Sequence, residues 1–355
     1  MPALAQLPLP PQYDPSHASS WNYHPDQLAL MKQAAEWRHI HGIQPSGSDA
    51  FRLHLLLIDC QKDFCLPEGS LYVGGRSGAG AVDDSARIAE FIYRHLGIIT
   101  TITATMDTHF AYQIFFPAFW IDRAGQTLTP HRTISAEQIR TGEVCPNPAM
   151  VQWLGMGNEA WLIKQVEYYR TQLERAGKYA LYLWPPHCIL GSDGHPLVGV
   201  IHEARMFHAF ARHTQSFVES KGDNALTENY SVLGPEVRTR FDGHPLVAMN
   251  SRFVETLLTA DAVVIAGQAS SHCVKSSIDD LLGHIARKDP ALARKVYILA
   301  DCMSAVTVPD GRGGFLADFT SEAEEALRRF ADAGMHVVTT NLPLERWEGL
   351  LSRGM

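Results

Sequence analysis

The chain has 355 residues, of which 46% are hydrophobic and 19% charged, and its formal net charge at pH 7 is −8. This is the composition of a globular protein with a sizeable core, and the negative charge argues against nucleic acid or an anionic membrane as a partner. No apolar run is long enough for a membrane span, and the first residues, MPALAQLPLPPQYDP, lack a secretory-signal pattern. Six cysteines without a CxxC pair are typical of free thiols, which favours a cytoplasmic protein.

Three regions can be distinguished along the chain. Residues 1–50, rich in Pro, Gln, His and Ser, are predicted to form an N-terminal arm with one short helix at residues 27–37. Residues 51–345 are predicted to form the main domain, which is interrupted at 121–177 by an insertion with a helical pattern at residues 158–175. Because structureless loops of that length are uncommon, we expect the insertion to be a lid or subdomain.

The main domain alternates strand patterns with helix patterns. Apolar or β-rich segments predict strands at residues 53–59, 98–107, 179–185, 214–220, 261–267, 295–301 and 335–340. Helical patterns separate most of them, at residues 82–96, 199–212, 251–259, 273–287 and 321–333. Repeated strand–helix units predict a parallel sheet that is covered by helices on both faces. In such sheets, ligands bind at the carboxyl ends of the strands.

Polar side chains occur where several of these strands end. They are Asp59, Asp107, His109, His187, Cys188, Lys221, Cys273 and Asp301. Because the ends of parallel strands meet at one edge of the sheet, we expect these side chains to converge on one rim, although they are far apart in sequence.

Cys273 is the candidate nucleophile. It follows a predicted strand through the small-residue turn of GQASSHC and opens the next helix. The positive end of the helix dipole predicts a lowered thiol pKa, and N–H groups of the turn can form an oxyanion hole. Asp59 is the candidate base, and Lys221 could position that acid and stabilise a thiolate. The alternatives are a core cysteine, a turn or N-cap aspartate, and an exposed loop lysine.

A metal site is predicted from one carboxylate and two imidazoles. Asp107 and His109 form a DxH pair at one strand end, and His187 arrives from the next predicted strand. Such a set with open positions suits Zn²⁺, Fe²⁺ or Mn²⁺. The alternative is that these are ordinary surface histidines among the 17 in the chain.

Five segments resemble, in the same order, those of nicotinamidases, which belong to the isochorismatase-like cysteine hydrolases. The segments are LLLIDCQKDFC, TATMDTH, WPPHC, SFVESKGDNALTENYS and GQASSHCV. The resemblance covers roughly residues 53–120 and 179–340. It implies a three-layer α/β/α fold of the isochorismatase-like, Rossmann-like type, with a central, mostly parallel sheet of six strands.

The resemblance also implies the roles of the polar residues. Asp59, Lys221 and Cys273 would form a catalytic triad. A divalent ion, with zinc favoured over iron or manganese, would be held by the residues Asp107, His109 and His187. The implied activity is hydrolysis of a carboxamide, best represented by nicotinamide, through a cysteine thioester. The implied partner is therefore a small-molecule amide, and a homo-oligomer is left open.

The resemblance extends to the substrate pocket. Phe64 and Trp184 resemble the aromatic residues that sandwich a pyridine ring, and Tyr230 and Ser231 match a pair that lines the pocket. The N–H groups of Ala269 and Cys273 would form the oxyanion hole, and the peptide bond between residues 268 and 269 would be cis.

The sequence also departs from the family pattern at three positions. Thr108 stands where a tryptophan is usual, Gln113 stands near the place of another histidine, and His272 stands where a tyrosine is frequent. These departures and the insertion leave other heteroaromatic or acyl amides open as substrates. Two other classes of protein remain as alternatives: a metal-hydroxide hydrolase in which Cys273 is incidental, and a non-catalytic binding protein on the same fold.

Overall fold

The computed structural model describes residues 6–177 and 179–350, which contain twelve strands and ten α-helices. The strands are β1 (Leu53–Ile58), β2 (Ile99–Asp107), β3 (Trp120–Asp122), β4 (Arg132–Ile134), β5 (Val144–Pro146), β6 (Leu181–Leu183), β7 (Phe217–Lys221), β8 (Ala262–Gly267), β9 (Val296–Leu299), β10 (Thr307–Pro309), β11 (Phe315–Asp318) and β12 (His336–Val338). The helices are α1 (Gln27–His41), α2 (Lys62–Cys65), α3 (Gly80–Arg94), α4 (Ala136–Arg140), α5 (Val151–Leu154), α6 (Glu159–Ala176), α7 (Gly199–Arg212), α8 (Ser251–Thr259), α9 (Cys273–Lys288) and α10 (Thr320–Asp332).

Six strands form one sheet in the order β12-β9-β8-β1-β2-β7, and every neighbouring pair is parallel. Helices cover both faces of this sheet, so the predicted three-layer α/β/α architecture is confirmed. The helices α7 and α8 have the predicted bounds. The helix α9 ends one residue later than predicted, and α10 begins and ends one residue earlier than predicted.

The predicted strand at residues 179–185 does not belong to this sheet, so its placement there was wrong. Only Leu181–Leu183 is extended, and it pairs antiparallel with β4. The apolar, β-rich segment identified a strand correctly, but such a segment does not specify the partner strand.

Burial along the central strands explains the two helical layers. All six residues of β1 are buried. Leu55 and Leu57 belong to a core shared with α3 and α7, whereas Leu56 and Ile58 belong to a second core shared with α8 and α9. Because successive side chains of a strand point to opposite faces, a strand that is buried along its whole length requires a helical layer on each side.

Residues 6–50, which are the described part of the predicted N-terminal arm, pack on the main domain. α1 extends one turn beyond its predicted end and terminates at Gly42, which has the left-handed conformation (φ 60°). Leu30 and Ala34 of α1 are buried, and this helix packs against α7. Residues 1–5 of the predicted arm lie outside the described residues.

The predicted insertion contains α4, α5 and α6 together with short strands. Its main helix, α6, begins after Asn158, whose side chain caps the N–H of Trp161 at 3.0 Å, and ends at Gly177 in the left-handed conformation. These bounds lie within one residue of the predicted ones. No described helix is both long and apolar enough to cross a bilayer. All six cysteines, each among the described residues, are free thiols.

Candidate active site

Four neighbouring strands end at one edge of the sheet and carry the candidate residues. The four strands are adjacent in the order β8-β1-β2-β7. At their carboxyl ends, Ile58 of β1 pairs with Gly267 of β8, and Asp107 of β2 pairs with Lys221 of β7. Asp59 follows β1 directly, and the turn 268–272 leads from β8 to Cys273. Sheet order therefore explains why residues so distant in sequence meet here.

Lys221 is the centre of the predicted triad. Its Nζ lies 2.9 Å from Asp59 Oδ2 and 3.6 Å from Cys273 Sγ, and it donates a hydrogen bond to the Asn229 carbonyl at 3.0 Å. The three triad side chains are buried, and Asp59 is completely inaccessible to solvent. Lys221 is therefore not an exposed loop lysine, and Asp59 caps none of the described helices.

Thr105 holds Asp59 in place. It was not identified as a residue of the site from the sequence. Its hydroxyl donates to Asp59 Oδ1 at 2.5 Å and accepts from the Asp59 N–H at 3.0 Å. Thr105 lies two residues before Asp107 on β2, so both side chains share one face of the strand. That alternation was a usable signal for a second polar residue beside the site.

Burial dominates the electrostatics of the triad. Burial raises the pKa of the Cys273 thiol well above its usual value, and Lys221 offsets only part of this effect. Burial likewise raises the pKa of Asp59, although Lys221 lowers it. For Lys221 itself, burial lowers the pKa, but Asp107 and Asp59 together raise it well above its usual range. Lys221 is therefore a stable cation between two carboxyl groups.

The lowered thiol pKa predicted from the helix start was wrong. Desolvation raises the pKa of Cys273 by more than Lys221 lowers it, and Asp59 and Asp107 raise it further, so the group is a thiol at neutral pH. A sulfur nucleophile must then be formed in place by proton transfer. Acceptors are close, because the ligating atoms of Asp59, Asp107 and Cys273 all lie within 4.8 Å of one another.

The turn before Cys273 exposes backbone donors to the site. Gly267 has a φ of 118°, and a Cβ at this position would lie 2.0 Å from the Ile58 carbonyl oxygen, so a larger residue does not fit. The Gln268–Ala269 peptide bond is cis, as the resemblance implies. The N–H groups of His272 and Val274 both donate to the Ala269 carbonyl. Among the described residues, the N–H groups of Ala269 and Cys273 have no recorded acceptor.

A buried aspartate fixes this turn from behind. Asp84 accepts hydrogen bonds from Gln268 Nε2 at 2.9 Å and from the Ser304 hydroxyl at 2.6 Å. The Ser304 N–H donates in turn to Gln268 Oε1 at 3.1 Å. These residues come from three distant segments, and no pattern in the sequence connects them.

The predicted metal ligands also converge. Asp107 Oδ2 lies 2.9 Å from His109 Nε2 and 3.8 Å from His187 Nε2, and all three residues are buried, which excludes the surface-histidine alternative. Each imidazole Nδ1 lies within hydrogen-bonding distance of a backbone carbonyl, Gly222 for His109 (2.9 Å) and Pro185 for His187 (2.8 Å). Carbonyl partners of this kind leave Nε2 free for a metal.

The donor set fits a divalent ion. Its three ligand atoms lie within 4.8 Å of one another. Burial, with a smaller effect of His109, lowers the pKa of His187 to about 4, so this imidazole is neutral at pH 7 as a ligand must be. A second group, Asp59, Asp107 and Cys273, also has its potential ligand atoms within 4.8 Å of one another. This group surrounds the Lys221 ammonium, which already supplies a positive charge there.

His187 reaches the site by a route that differs from the predicted one. It does not end a strand of the main sheet, because β6 lies elsewhere. Instead, the His109 N–H donates to the Cys188 carbonyl at 3.0 Å, and the Leu190 N–H donates to the His109 carbonyl at 3.0 Å. The Cys188 N–H is held by Asp63 Oδ2 at 2.7 Å.

A cavity opens over Cys273 and the metal ligands. It contains about 480 Å³ of space between atoms, which includes space open to solvent at its mouth. Its apolar wall is formed by Phe64, Leu71, Val73, Phe115, Trp184, Tyr230, Ala269 and Val306. Its polar lining consists of Asp107, His109, His187, Glu228, Asn229, His272 and Cys273.

Two of the predicted residues lie outside this site. Ser231 is not in the cavity wall, because its hydroxyl turns back to accept a hydrogen bond from the Leu233 N–H at 3.0 Å. Asp301 does not reach the rim, because its carboxylate accepts hydrogen bonds from the N–H and the hydroxyl of Thr340.

Glu228 is a pocket residue that the sequence did not reveal. It is buried in the cavity wall, and burial raises its pKa to about 8, although the hydroxyls of Tyr230 and Tyr169 lower it. It lies in an irregular loop after β7, where neither strand alternation nor helical spacing indicates which side chains face inward.

Comparison with known proteins gives distant structural similarities. No family model matches the chain, and no curated protein is similar to it in sequence. Solved structures that resemble it include an Acinetobacter baumannii nicotinamidase/pyrazinamidase (17% identity, 82% of this chain, 98% of that chain, TM-score 0.48). Another is the yeast nicotinamidase bound to nicotinaldehyde (18% identity, 81% of this chain, 99% of that chain, TM-score 0.48). A third is a zinc complex of Pyrococcus horikoshii pyrazinamidase (17% identity, 81% of this chain, 98% of that chain, TM-score 0.42). At these identities and TM-scores, we base no functional conclusion on the similarity.

Proposed function

We propose that the chain is a cysteine amidohydrolase that acts on a heteroaromatic carboxamide, with nicotinamide as the best candidate. The observation that supports this most strongly is the position of Lys221, whose ammonium contacts Asp59, Asp107 and Cys273 together. It joins the candidate nucleophile and base to the candidate metal ligands at one cavity. A non-catalytic binding protein has no need of this arrangement.

Asp59 and Cys273 would carry out the first half of the reaction. The Asp59 carboxylate takes the thiol proton, and the Cys273 sulfur attacks the amide carbon, so that a C–S bond forms and the carbonyl electron pair moves to oxygen. The resulting oxyanion accepts hydrogen bonds from the N–H groups of Ala269 and Cys273, which are otherwise without acceptors among the described residues.

Collapse of this intermediate would release ammonia. The carbonyl re-forms, the C–N bond breaks, and the leaving nitrogen takes the proton that Asp59 holds, which leaves a thioester on Cys273. Asp59 then accepts a proton from water, whose oxygen attacks the thioester carbon. The C–S bond breaks, the acid departs, and Asp59 returns the proton to sulfur. Lys221 remains a cation throughout and keeps Asp59 oriented.

Asp107, His109 and His187 would hold a divalent ion, zinc in the favoured case. When bound, such an ion supplies a Lewis-acid contact for the ring nitrogen of the substrate. Phe64 and Trp184 line the same cavity and offer aromatic faces to the ring.

Removal of the metal should weaken substrate binding more than it slows the chemistry. We expect metal-free protein, prepared with a chelator, to show a KM for nicotinamide at least about tenfold higher, because the ring nitrogen loses its partner. Stoichiometric Zn²⁺ should restore the original KM. The measurements are steady-state kinetics and the metal content of each chain.

A matched pair of histidine variants controls for non-specific effects. His109→Ala should lose the bound metal, whereas His284→Ala should retain it, because His284 lies beside Glu255 on the surface of the described structure. Unchanged KM in metal-free protein would show that these residues do not orient the substrate through an ion.

The substrate assignment is tested with two amides of nearly the same shape. The purified protein is incubated with nicotinamide or benzamide, and ammonia release is followed. We expect release from nicotinamide and little from benzamide, which lacks the ring nitrogen. Equal release from both would contradict recognition of the ring nitrogen. Release from neither would contradict the pyridine-amide assignment and favour another amide.

A further inference from the structure

A buried carboxyl group in the cavity wall is used by no step of the proposed reaction. Glu228 is 1% exposed, and both of its carboxylate oxygens accept hydrogen bonds from tyrosines. Tyr169 OH donates to Oε2 at 2.8 Å, and Tyr230 OH donates to Oε1 at 2.6 Å. Glu228 therefore lies between two aromatic residues from separate segments of the chain.

These contacts extend into a continuous chain of hydrogen bonds. The Tyr230 hydroxyl also accepts from the Trp184 indole N–H at 2.9 Å. At the other end, the Tyr169 hydroxyl accepts from the Glu228 backbone N–H at 3.1 Å. Trp184 and Tyr230 line the cavity, whereas Tyr169 is fully buried behind it on α6, the main helix of the segment 121–177. We call these four residues the Glu228 relay.

We propose that Glu228 is a positioning residue through which helix α6 fixes Trp184 and Tyr230 in the geometry that holds the substrate ring. The proposal gives the segment 121–177 a role in substrate binding, although this segment contains none of the proposed catalytic residues. This role rests on the proposed function, because the aromatic wall of the cavity would hold the ring of an aromatic amide.

The structure supports this role in two ways. Trp184 and Tyr230 both lie in loops, outside any helix or strand. The hydrogen bond from Tyr230 to the buried Glu228 carboxyl group, and the one from Trp184 to the Tyr230 hydroxyl, therefore restrict side chains that would otherwise have more freedom. The loop that carries Glu228 and Tyr230 also contacts the triad, since the carbonyl of Asn229 in this loop accepts a hydrogen bond from Lys221. Because networks of this kind are cooperative, loss of one terminal hydroxyl should affect the whole wall.

The sequence offers a matched pair of variants. Tyr169→Phe removes the terminal hydroxyl of the relay. Tyr168→Phe removes the same atom one residue earlier on α6, where the hydroxyl pairs with Thr239 Oγ1 at 2.8 Å and has no contact with the relay. We expect Tyr169→Phe to raise the KM for nicotinamide about tenfold with kcat within about twofold, and Tyr168→Phe to change neither. Glu228→Leu should raise KM at least as much, because an apolar side chain accepts a hydrogen bond from neither tyrosine.

A second measurement does not depend on turnover. The emission of Trp184 is obtained as the difference between the fluorescence spectrum of each protein and that of its Trp184→Phe counterpart. Tyr169→Phe should shift this emission, and Tyr168→Phe should not. If wild type releases no ammonia from nicotinamide, the assignment of nicotinamide as substrate fails, and the Trp184 emission alone decides on the relay.

A KM for Tyr169→Phe that equals that of Tyr168→Phe in an active enzyme would overturn the proposal. In an inactive protein, an unshifted Trp184 emission would overturn it equally. A purely structural role for Tyr169 predicts lower thermal stability without the change in KM.

Discussion

Asp59→Asn should lower kcat for nicotinamide about a thousandfold while the fold is retained. The amide cannot take the Cys273 proton or return it to the leaving nitrogen, and general acid–base catalysis of this kind contributes roughly 10²–10⁴ in rate. The substitution keeps the size of the side chain, and its carbonyl oxygen can still accept from Lys221 or Thr105. The measurement is steady-state ammonia release, with circular dichroism to verify folding.

Asp261→Asn is the control for this substitution. Asp261 lies at the opposite edge of the sheet, just before β8, where its carboxylate accepts a hydrogen bond from the Arg52 N–H at 2.8 Å. We expect its kcat to equal that of wild type. If Asp59→Asn retained wild-type kcat, Asp59 would not be the base, and the proton route proposed above would be wrong.

Lys221→Met should impair both stability and activity. Methionine fills much of the lysine volume but removes the cation that lies 2.9 Å from Asp59 and 3.0 Å from Asp107. Removing one partner of a buried ion pair leaves uncompensated charge, and such changes cost on the order of 3–5 kcal/mol in the free energy of unfolding. We also expect kcat/KM to fall at least about a thousandfold, because Asp59 and Cys273 lose the group that orients them.

Denaturant unfolding, compared with Lys288→Met, tests the stability effect. Lys288 pairs with Glu255 at 2.7 Å on the surface, where ion pairs contribute roughly 0–1 kcal/mol. The control should therefore unfold almost as wild type does. A Lys221→Met variant as stable as this control would mean that the two carboxyl groups do not depend on Lys221 for their charge.

The sequence predicted much of the architecture because its signals were local. The strand β1, which is apolar except for His54 and is followed by Asp59, was predicted to be buried on both faces. The spacing of apolar residues predicted the bounds of α7 and α8 to the residue. The convergence of Asp59, Lys221 and Cys273 also followed from a general property of parallel sheets, that their carboxyl ends share one edge.

The missing parts depend on tertiary contacts. The strand β6 was recognised, but its sequence does not indicate that its partner is β4 in the segment 121–177. The thiol pKa of Cys273 was predicted in the wrong direction, because the helix start is visible in the sequence but the depth of burial is not. The contacts of Glu228 with Tyr169 and Tyr230 join three segments, and only the folded chain shows them.

Two of the departures from the pattern of the resembled family lie beside the candidate metal ligands. Thr108 pairs with His195 at 3.0 Å, and Gln113 donates to the Gly222 carbonyl at 3.1 Å, the same carbonyl that faces His109 Nδ1. Both residues thus make contacts around the candidate metal ligands, which converge although position 108 is not a tryptophan and position 113 is not a histidine.

The most direct test of the central claim is ammonia release from nicotinamide by wild type, Cys273→Ala and Cys145→Ala. Cys145 is a half-buried thiol in the segment 121–177, so its variant controls for loss of a cysteine as such. We predict release by wild type and by Cys145→Ala, and none by Cys273→Ala. Release by Cys273→Ala at the wild-type rate would contradict the account, because the nucleophile would then not be Cys273 and a metal-bound hydroxide would be the stronger candidate.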